Sequence, residues 1–106
     1  MRVEDYRRLQ ANSMSEAQFQ SHVIAIASRL GWLVYHTHDS RRSEPGFPDL
    51  VLVRGRTLFR ELKTGSGVLS KAQHVWLDRL EQGGSDAGVW RPDDLMSGLI
   101  ERELRK

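Results

Sequence analysis

Cysteine is absent from the 106 residues of this chain, which excludes a disulfide framework, a thiolate metal site and a cysteine nucleophile. Long apolar runs are absent too, since the longest candidate, residues 23–27, is far shorter than the ~20 residues of a membrane span. The first residues are charged and polar, unlike a secretory signal. These absences predict a cytoplasmic protein that has no membrane partner.

The composition is typical of one small soluble domain, with 39% apolar and 28% charged residues. The formal net charge is only +2, a balance that permits nucleic-acid binding without requiring it. Basic residues nevertheless concentrate in the middle of the chain: Arg41, Arg42, Arg54, Arg56, Arg60, Lys63 and Lys71. By themselves they indicate a solvated basic surface at least as well as a binding site.

The apolar pattern predicts an α/β fold. Residues 1–12 form either an arm or a short helix, because their apolar residues recur only weakly, and residues 13–106 form a single domain. The predicted order of elements in that domain is α-β-β-β-α-β-α. Strands are expected at residues 32–37, 50–53, 57–63 and 87–90, and helices start near residue 13, at 70 and at 92.

Two capping boxes compete for the start of the first helix of that domain. Ser13 with Glu16 has the S-x-x-E spacing, and Ser15 with Gln18 offers the same arrangement two residues later. The apolar stripe of this helix leaves Glu16 pointing towards the core side of the sheet. Glu16 is therefore either a capping residue or part of a site, and both interpretations stay open.

Two carboxylates are predicted to face each other across a β-hairpin. Asp49 and Glu61 each lie six residues from Gly55, so a symmetric antiparallel hairpin places their Cβ atoms roughly 4.5–5.5 Å apart. Carboxylates that close repel each other, and one of them takes up a proton unless a cation is present. A divalent ion such as Mg²⁺, which prefers hard oxygen ligands, resolves the conflict.

Lys63 follows Glu61 by two residues, so both side chains point to the same face of the strand. Beside a metal, its ammonium group could hold a phosphate, orient water or stabilise negative charge. The carbonyl of Leu62, which lies between them, is a further candidate ligand. A solvated, salt-bridged strand face is the alternative, but charges in otherwise apolar strands are costly without a role.

Gln73 shares an otherwise apolar stripe with Trp76 and Leu77 on the second helix of the domain. Its amide could bond the carboxylates, a metal-bound water or a phosphate, or it could lie at a partly exposed stripe edge. His36 and His38 could form a metal pair, but without a third suitably spaced ligand a zinc site is not expected. No motif indicates a small-molecule cofactor.

Four segments of the sequence occur in an order that resembles the VRR-NUC (virus-type replication-repair nuclease) family of the PD-(D/E)xK, or restriction-endonuclease-like, superfamily. They are Glu16, Gly46-Phe47-Pro48-Asp49, Glu61-Leu62-Lys63 and Gln73. The resemblance extends over nearly the whole chain, from about residue 13 to residue 104. It implies a restriction-endonuclease-like core, a mixed β-sheet flanked by helices, and phosphodiester hydrolysis that depends on Mg²⁺ or Mn²⁺.

The same resemblance implies roles for individual residues. Asp49, Glu61 and the Leu62 carbonyl would be metal ligands, and Glu16 would complete the acidic site. Lys63 would position or activate water, with Gln73 supporting the site from its helix.

The resemblance also implies a stand-alone nuclease of a bacterial or phage-infected cell. Such proteins tend to form homodimers and to act on branched DNA such as Holliday junctions, so structure-selective cutting or nicking is expected. Apolar residues near the N-terminus (Val3, Tyr6, Leu9) are candidates for a dimer interface. Predicted DNA contacts are Arg41, Arg42, Arg60 and Lys71. A non-catalytic DNA-binding or assembly module, and a nuclease acting on RNA, remain the alternatives.

Overall fold

The structure is a computed structural model, and it describes residues 2–38 and 43–106. In this part of the chain, four strands and five helices occur. The helices are α1 (Val3–Asn12), α2 (Glu16–Arg29), α3 (Lys71–Gln82), α4 (Pro92–Met96) and α5 (Leu99–Arg105). The strands are β1 (Leu33–His36), β2 (Leu50–Val53), β3 (Thr57–Leu62) and β4 (Asp86–Trp90).

The strands form one mixed sheet in the order β1-β2-β3-β4. The first three strands are antiparallel neighbours, whereas β3 and β4 are parallel. A parallel pair needs a crossover connection, and α3 provides it between β3 and β4. The predicted α/β class with a mixed sheet flanked by helices is therefore confirmed.

The two faces of the sheet differ in what covers them. One face, called the core face here, carries the buried side chains of Leu50, Leu52, Leu58 and Leu62. Side chains from α2 and α5 complete this core: Phe19, Val23, Ala27, Ile100 and Leu104. Strand alternation directs Asp49 and Glu61 to the opposite face, called the site face here. The apolar core therefore leaves the other side of the sheet available for a polar site.

The N-terminal segment that was predicted as an arm or a short helix is the helix α1. It packs against α4, while Val3, Tyr6 and Leu9 are between 55% and 63% exposed. The last predicted helix, in contrast, is two helices, so this prediction was wrong in detail. Gly98 between them has a φ of 83°, a left-handed conformation that breaks the helix. The break turns α5 so that Ile100 and Leu104 reach the core.

In the described part of the chain, no helix combines the length and the apolar character needed to cross a membrane.

Gly46 determines how closely the loop before β2 approaches α3. Its φ is +91°, and a Cβ atom there would collide with the backbone of Ala72 and Gln73. We expect Gly46→Ala to lower the free energy of unfolding by roughly 3 kcal/mol or more, because the clash adds to the strain of a left-handed alanine. Urea unfolding followed by circular dichroism measures this.

Gly55→Ala is the matched control. Gly55 also has a positive φ, of +67°, but among the described residues no atom beyond its chain neighbours lies within 4 Å of where a Cβ would be. We expect the free energy of unfolding of this variant to fall by only about 1 kcal/mol, because only the strain of the left-handed backbone conformation contributes. Equal losses in both variants would show that the close approach to α3 has no energetic importance.

Candidate metal and phosphodiester site

The register of the β2–β3 hairpin brings the two predicted carboxylates together. Leu50 pairs with Arg60 at the end of the hairpin away from the turn, so Asp49 and Glu61 occupy the next paired position, on the site face. This is the register that symmetry about Gly55 predicts, and it is confirmed. Local sequence determines it, because the turn at Gly55 fixes which residues of the two strands are opposite.

Backbone hydrogen bonds on both sides hold Asp49. Its Oδ2 accepts a hydrogen bond from the Leu62 N–H at 2.8 Å, and its carbonyl accepts one from the Thr37 N–H at 2.9 Å. The N–H and C=O of one strand residue point to the same side, so the Leu62 carbonyl is directed towards the Asp49 side as well. Asp49 and this carbonyl therefore flank the same space.

Glu61 is almost completely buried, with a side chain 3% exposed. Its Oε2 accepts a hydrogen bond from Gln73 Nε2 at 2.8 Å and lies 3.8 Å from Lys63 Nζ. The other oxygen, Oε1, has no hydrogen-bond partner among the described residues. This missing partner applies to the ionised carboxylate, because a protonated Glu61 can donate a hydrogen bond to Asp49. An ionised and buried oxygen without a partner is costly, and a bound cation would provide that partner.

Burial raises the pKa of Glu61 from 4.5 to about 8, and the nearby carboxylate of Asp49 acts in the same direction. Lys63 opposes this shift because its positive charge favours the ionised form. The two carboxylates therefore share less than two negative charges near neutral pH when no cation is bound. This agrees with the prediction that one of the pair takes up a proton.

Gln73 reaches Glu61 because of how α3 begins. Ser70 is the N-cap, its hydroxyl accepts from the Gln73 N–H, and Gln73 Oε1 accepts from the Ser70 N–H. The capping box uses the amide oxygen and leaves the Nε2 group free to donate to Glu61. One side chain thus caps the helix and orients the carboxylate. The sequence left open whether Gln73 bonds a carboxylate or lies at an exposed edge, and the structure shows a hydrogen bond to the Glu61 carboxylate.

The donor set matches a hard divalent cation. Glu61 Oε1 has no partner among the described residues, Asp49 provides a second carboxylate, and the Leu62 carbonyl points to the same side. Mg²⁺ and Mn²⁺ accept such oxygen ligands and keep several waters, so a site need not supply every ligand from the protein. Residues 2–38 and 43–106 contain no group of three or more histidine, cysteine, aspartate or glutamate side chains suited to a metal.

Glu16 therefore does not join Asp49 and Glu61 in a three-carboxylate group. The capping box of α2 is the Ser15–Gln18 pair, and Glu16 is the first helical residue and exposed to solvent. The apolar stripe of α2 does reach the core at Phe19, but Glu16 at the edge of that stripe stays in solvent. The site role of Glu16 stays a prediction that this geometry does not support.

Arg60 lies on the core face, away from the carboxylates. Its side chain is 7% exposed, and its guanidinium group bonds to Asp86 at 2.8 Å and to Glu103 at 3.3 Å and lies over the ring of Trp90. These contacts argue against the predicted DNA contact, because a paired and buried cation is not available to a phosphate. The sequence places Arg60 one residue from Glu61, and strand alternation sends it to the other side.

The remaining residues that the sequence suggested for DNA or metal binding lie at different places in the structure. Lys71 is the first residue of α3, the helix that carries Gln73, and its side chain is exposed. Arg41 and Arg42 lie outside the described residues. The rings of His36 and His38 are in edge-to-face contact, with centroids 4.8 Å apart. No third ligand joins this pair within the described ranges.

Sequence patterns missed the aromatic support of the site. The ring of Phe47, two residues before Asp49, packs edge-to-face on Trp76 of α3 at 5.1 Å and on Phe59 of β3 at 6.3 Å. These contacts tie the loop to both elements that carry the site. No local signal identifies them, because their partners are far apart in sequence.

The mixed sheet, its crossover helix and the acid–acid–lysine group define a domain with a nuclease fold. The family model of the VRR-NUC domain matches residues 2–93, and the chain belongs to this family. A solved structure titled "VRR_NUC domain" is similar, with a TM-score of 0.67 and 27% sequence identity. That alignment covers 81% of this chain and 94% of the other. Comparison with curated proteins found no significant match.

Proposed function

We propose that this nuclease domain is a metal-dependent DNA endonuclease that hydrolyses phosphodiester bonds. The observation that carries the proposal is the buried Glu61 oxygen without a partner among the described residues, beside Asp49 and within reach of Lys63. A domain that only binds DNA gains nothing from buried carboxylates, because they repel phosphates. A domain that needs a cation at a phosphate does gain from them.

Asp49, Glu61 and the Leu62 carbonyl would hold Mg²⁺ or Mn²⁺. Such an ion supplies positive charge to a scissile phosphate and favours deprotonation of water. Gln73 keeps the Glu61 carboxylate in one orientation through its bond to Oε2, which leaves Oε1 for the ion. The site thus divides the two oxygens of Glu61 between an internal partner and a ligand.

Lys63 provides the positive charge that a phosphate oxygen requires. Its side chain is 18% exposed, so the ammonium group reaches the surface while remaining 3.8 Å from Glu61. In this position it can stabilise the negative charge that develops during attack on phosphorus. It also lowers the cost of a second negative charge at the carboxylate pair.

The proposal extends to substrate shape and assembly. The described part of one chain offers one such buried carboxylate pair, so cutting both strands or binding a symmetric junction would need two copies. We therefore propose a homodimer that prefers branched DNA, with the exposed apolar side chains of α1 as interface. Those side chains are Val3, Tyr6 and Leu9. Sedimentation showing only monomer at working concentrations would contradict this part.

The test is incubation of the purified protein with supercoiled plasmid and with synthetic four-way junctions. Mg²⁺, Mn²⁺ and excess chelator form the separate arms, and a matched RNA junction tests the choice of nucleic acid. We expect cleavage of DNA with either ion and none with chelator. Absence of DNA cleavage with every divalent ion would contradict the proposal.

A further inference from the structure

One flank of α3 is apolar in the middle and basic at both ends. Lys71, Val75 and Arg79 recur at i, i+4 and i+8, so they lie in one line along the helix. Val75 is 48% exposed, and Trp76 is half-buried beside it. Val75 is therefore an exposed apolar side chain between two cations, on a helix whose other face packs on the sheet.

Two open depressions in the surface share Val75 and Trp76. The first has a volume of about 470 Å³ and is lined also by Pro45, Lys71 and Ala72. The second has a volume of about 380 Å³ and is lined also by Arg79. Each depression therefore combines the same apolar wall with one cation.

The indole ring of Trp76 packs against another aromatic side chain of the protein. Phe47 contacts it edge-to-face, with an angle of 84° between the ring planes. Phe47 is itself in contact with Phe59 of the sheet. An aromatic ring that is already ordered loses little conformational entropy on binding a second ring.

The cations of this flank form no ion pair within the described part of the chain. Among the described residues, neither Lys71 nor Arg79 forms an ion pair with an acid. The acidic residues of α3, Asp78 and Glu81, line another depression with Gln82, and Asp78 borders the flank because it lies three residues after Val75. The flank keeps two cations around an apolar centre, which is complementary to a nucleotide chain.

We propose that this flank binds unpaired nucleotides of the DNA substrate beside the cleavage site. Bases would stack against the wall of Val75 and Trp76, and phosphates would contact Lys71 and Arg79. A paired duplex keeps its bases stacked on each other, so only unpaired nucleotides present a free base face. This inference rests on the proposed nuclease function and names a feature of its substrate.

Position supports a role next to the chemistry. Lys71 and Gln73 belong to the first turn of α3, so this end of the flank lies within one turn of the residue that bonds Glu61, although Gln73 points to the opposite side of the helix. Lys71 and Arg79 are eight residues apart, which corresponds to roughly 12 Å along a helix. The flank is therefore long enough to follow a strand over more than one nucleotide as it leaves the site.

Tryptophan fluorescence tests the inference directly, without cleavage. Trp32 and Trp90 are 3% and 1% exposed, so quenching by acrylamide in solution reports mainly on Trp76. A mixed-sequence single-stranded oligonucleotide, added in the presence of chelator, is expected to protect the protein from acrylamide. A fully paired duplex of the same length is expected to protect it less. Equal protection by both, or by neither, would overturn the proposal.

Variants assign the effect to the flank. Trp76→Phe keeps an aromatic ring on Phe47 and should remove the protection signal. The double variant Lys71→Ala, Arg79→Ala should weaken oligonucleotide binding roughly tenfold and reduce the slope of log affinity against log salt by about 1–2. The control double variant Arg29→Ala, Arg105→Ala removes the same charge elsewhere and should bind as the wild type does. Equal weakening in both double variants would contradict a specific flank.

Cleavage assays separate this inference from the proposed function. With Mn²⁺, the Lys71→Ala, Arg79→Ala variant should lose more of its rate on a gapped or forked duplex than on paired plasmid. If the wild type cuts DNA and the cleavage rate of this variant falls equally on the gapped or forked duplex and on the plasmid, the flank proposal fails while the nuclease proposal stands. If the wild type cuts nothing, the nuclease proposal fails, and the fluorescence result still decides the flank. Protection of Trp76 that rises with protein concentration alone would identify a second copy as the occupant and overturn the DNA assignment.

Discussion

Replacing Lys63 by alanine should reduce DNA cleavage by on the order of 10²–10³-fold or more, because the proposed mechanism assigns its ammonium group to the attacked phosphate. Asp49→Asn should have an effect at least as large, since it removes one of two charged ligands for the ion. The substitution also replaces one acceptor oxygen with an amide group beside the Leu62 N–H. Single-turnover rates on a junction with saturating Mn²⁺ measure both effects.

Lys106→Ala and Asp93→Asn are matched controls, because both residues are exposed and lie outside the site. We expect each of them to cut at close to the wild-type rate. Circular dichroism should show that all four variants are folded. If Lys63→Ala and Asp49→Asn cut as fast as the wild type, the catalytic assignment of the hairpin is wrong.

Without a metal ion, the protein should become less stable as the pH rises from about 4.5 to about 8. Below this range Glu61 is protonated in both the folded and the unfolded chain, because its pKa is 4.5 when exposed and about 8 when folded. Within the range the unfolded chain loses the proton and the folded chain keeps it, so folding becomes less favourable. The total loss is on the order of a few kcal/mol, and it levels off above pH 8.

Glu61→Gln isolates this contribution. Glutamine cannot ionise, so the difference in unfolding free energy between the variant and the wild type should grow in favour of the variant over that pH range. Mn²⁺ should stabilise the wild type most at the alkaline end, where it replaces the proton, and should have little effect on Glu61→Gln. A wild-type stability that changes with pH as the variant does would contradict the raised pKa of Glu61.

These two predictions describe one physical trade-off. The buried carboxylate is expected to lower the stability of the metal-free fold, and in the proposed function the same burial favours binding of a cation. Gln73 and Lys63 offset the unfavourable free energy of burying the Glu61 carboxylate at one oxygen only, Oε2. A variant that is more stable and inactive is therefore the expected result of removing the charge at Glu61.

Local sequence was sufficient to predict the centre of the site. The apolar runs on either side of Gly55 determine the two strands, and the turn determines which residues face each other. Alternation then places Glu61 and Lys63 on one face and Arg60 on the other. Caps at Ser15 and Ser70 also follow from local spacing, although two spacings competed at the first helix and the later one occurs.

The sequence by itself therefore determined the strands, their register and the carboxylate pair, because each depends on residues a few positions apart. Only the tertiary structure decided that Gln73 bonds Glu61, that Glu16 faces solvent and that Arg60 is paired with Asp86. These outcomes depend on how helices pack against the two faces of the sheet. That packing arises from contacts between residues distant in sequence. A local sequence pattern does not predict which of these residues come close together.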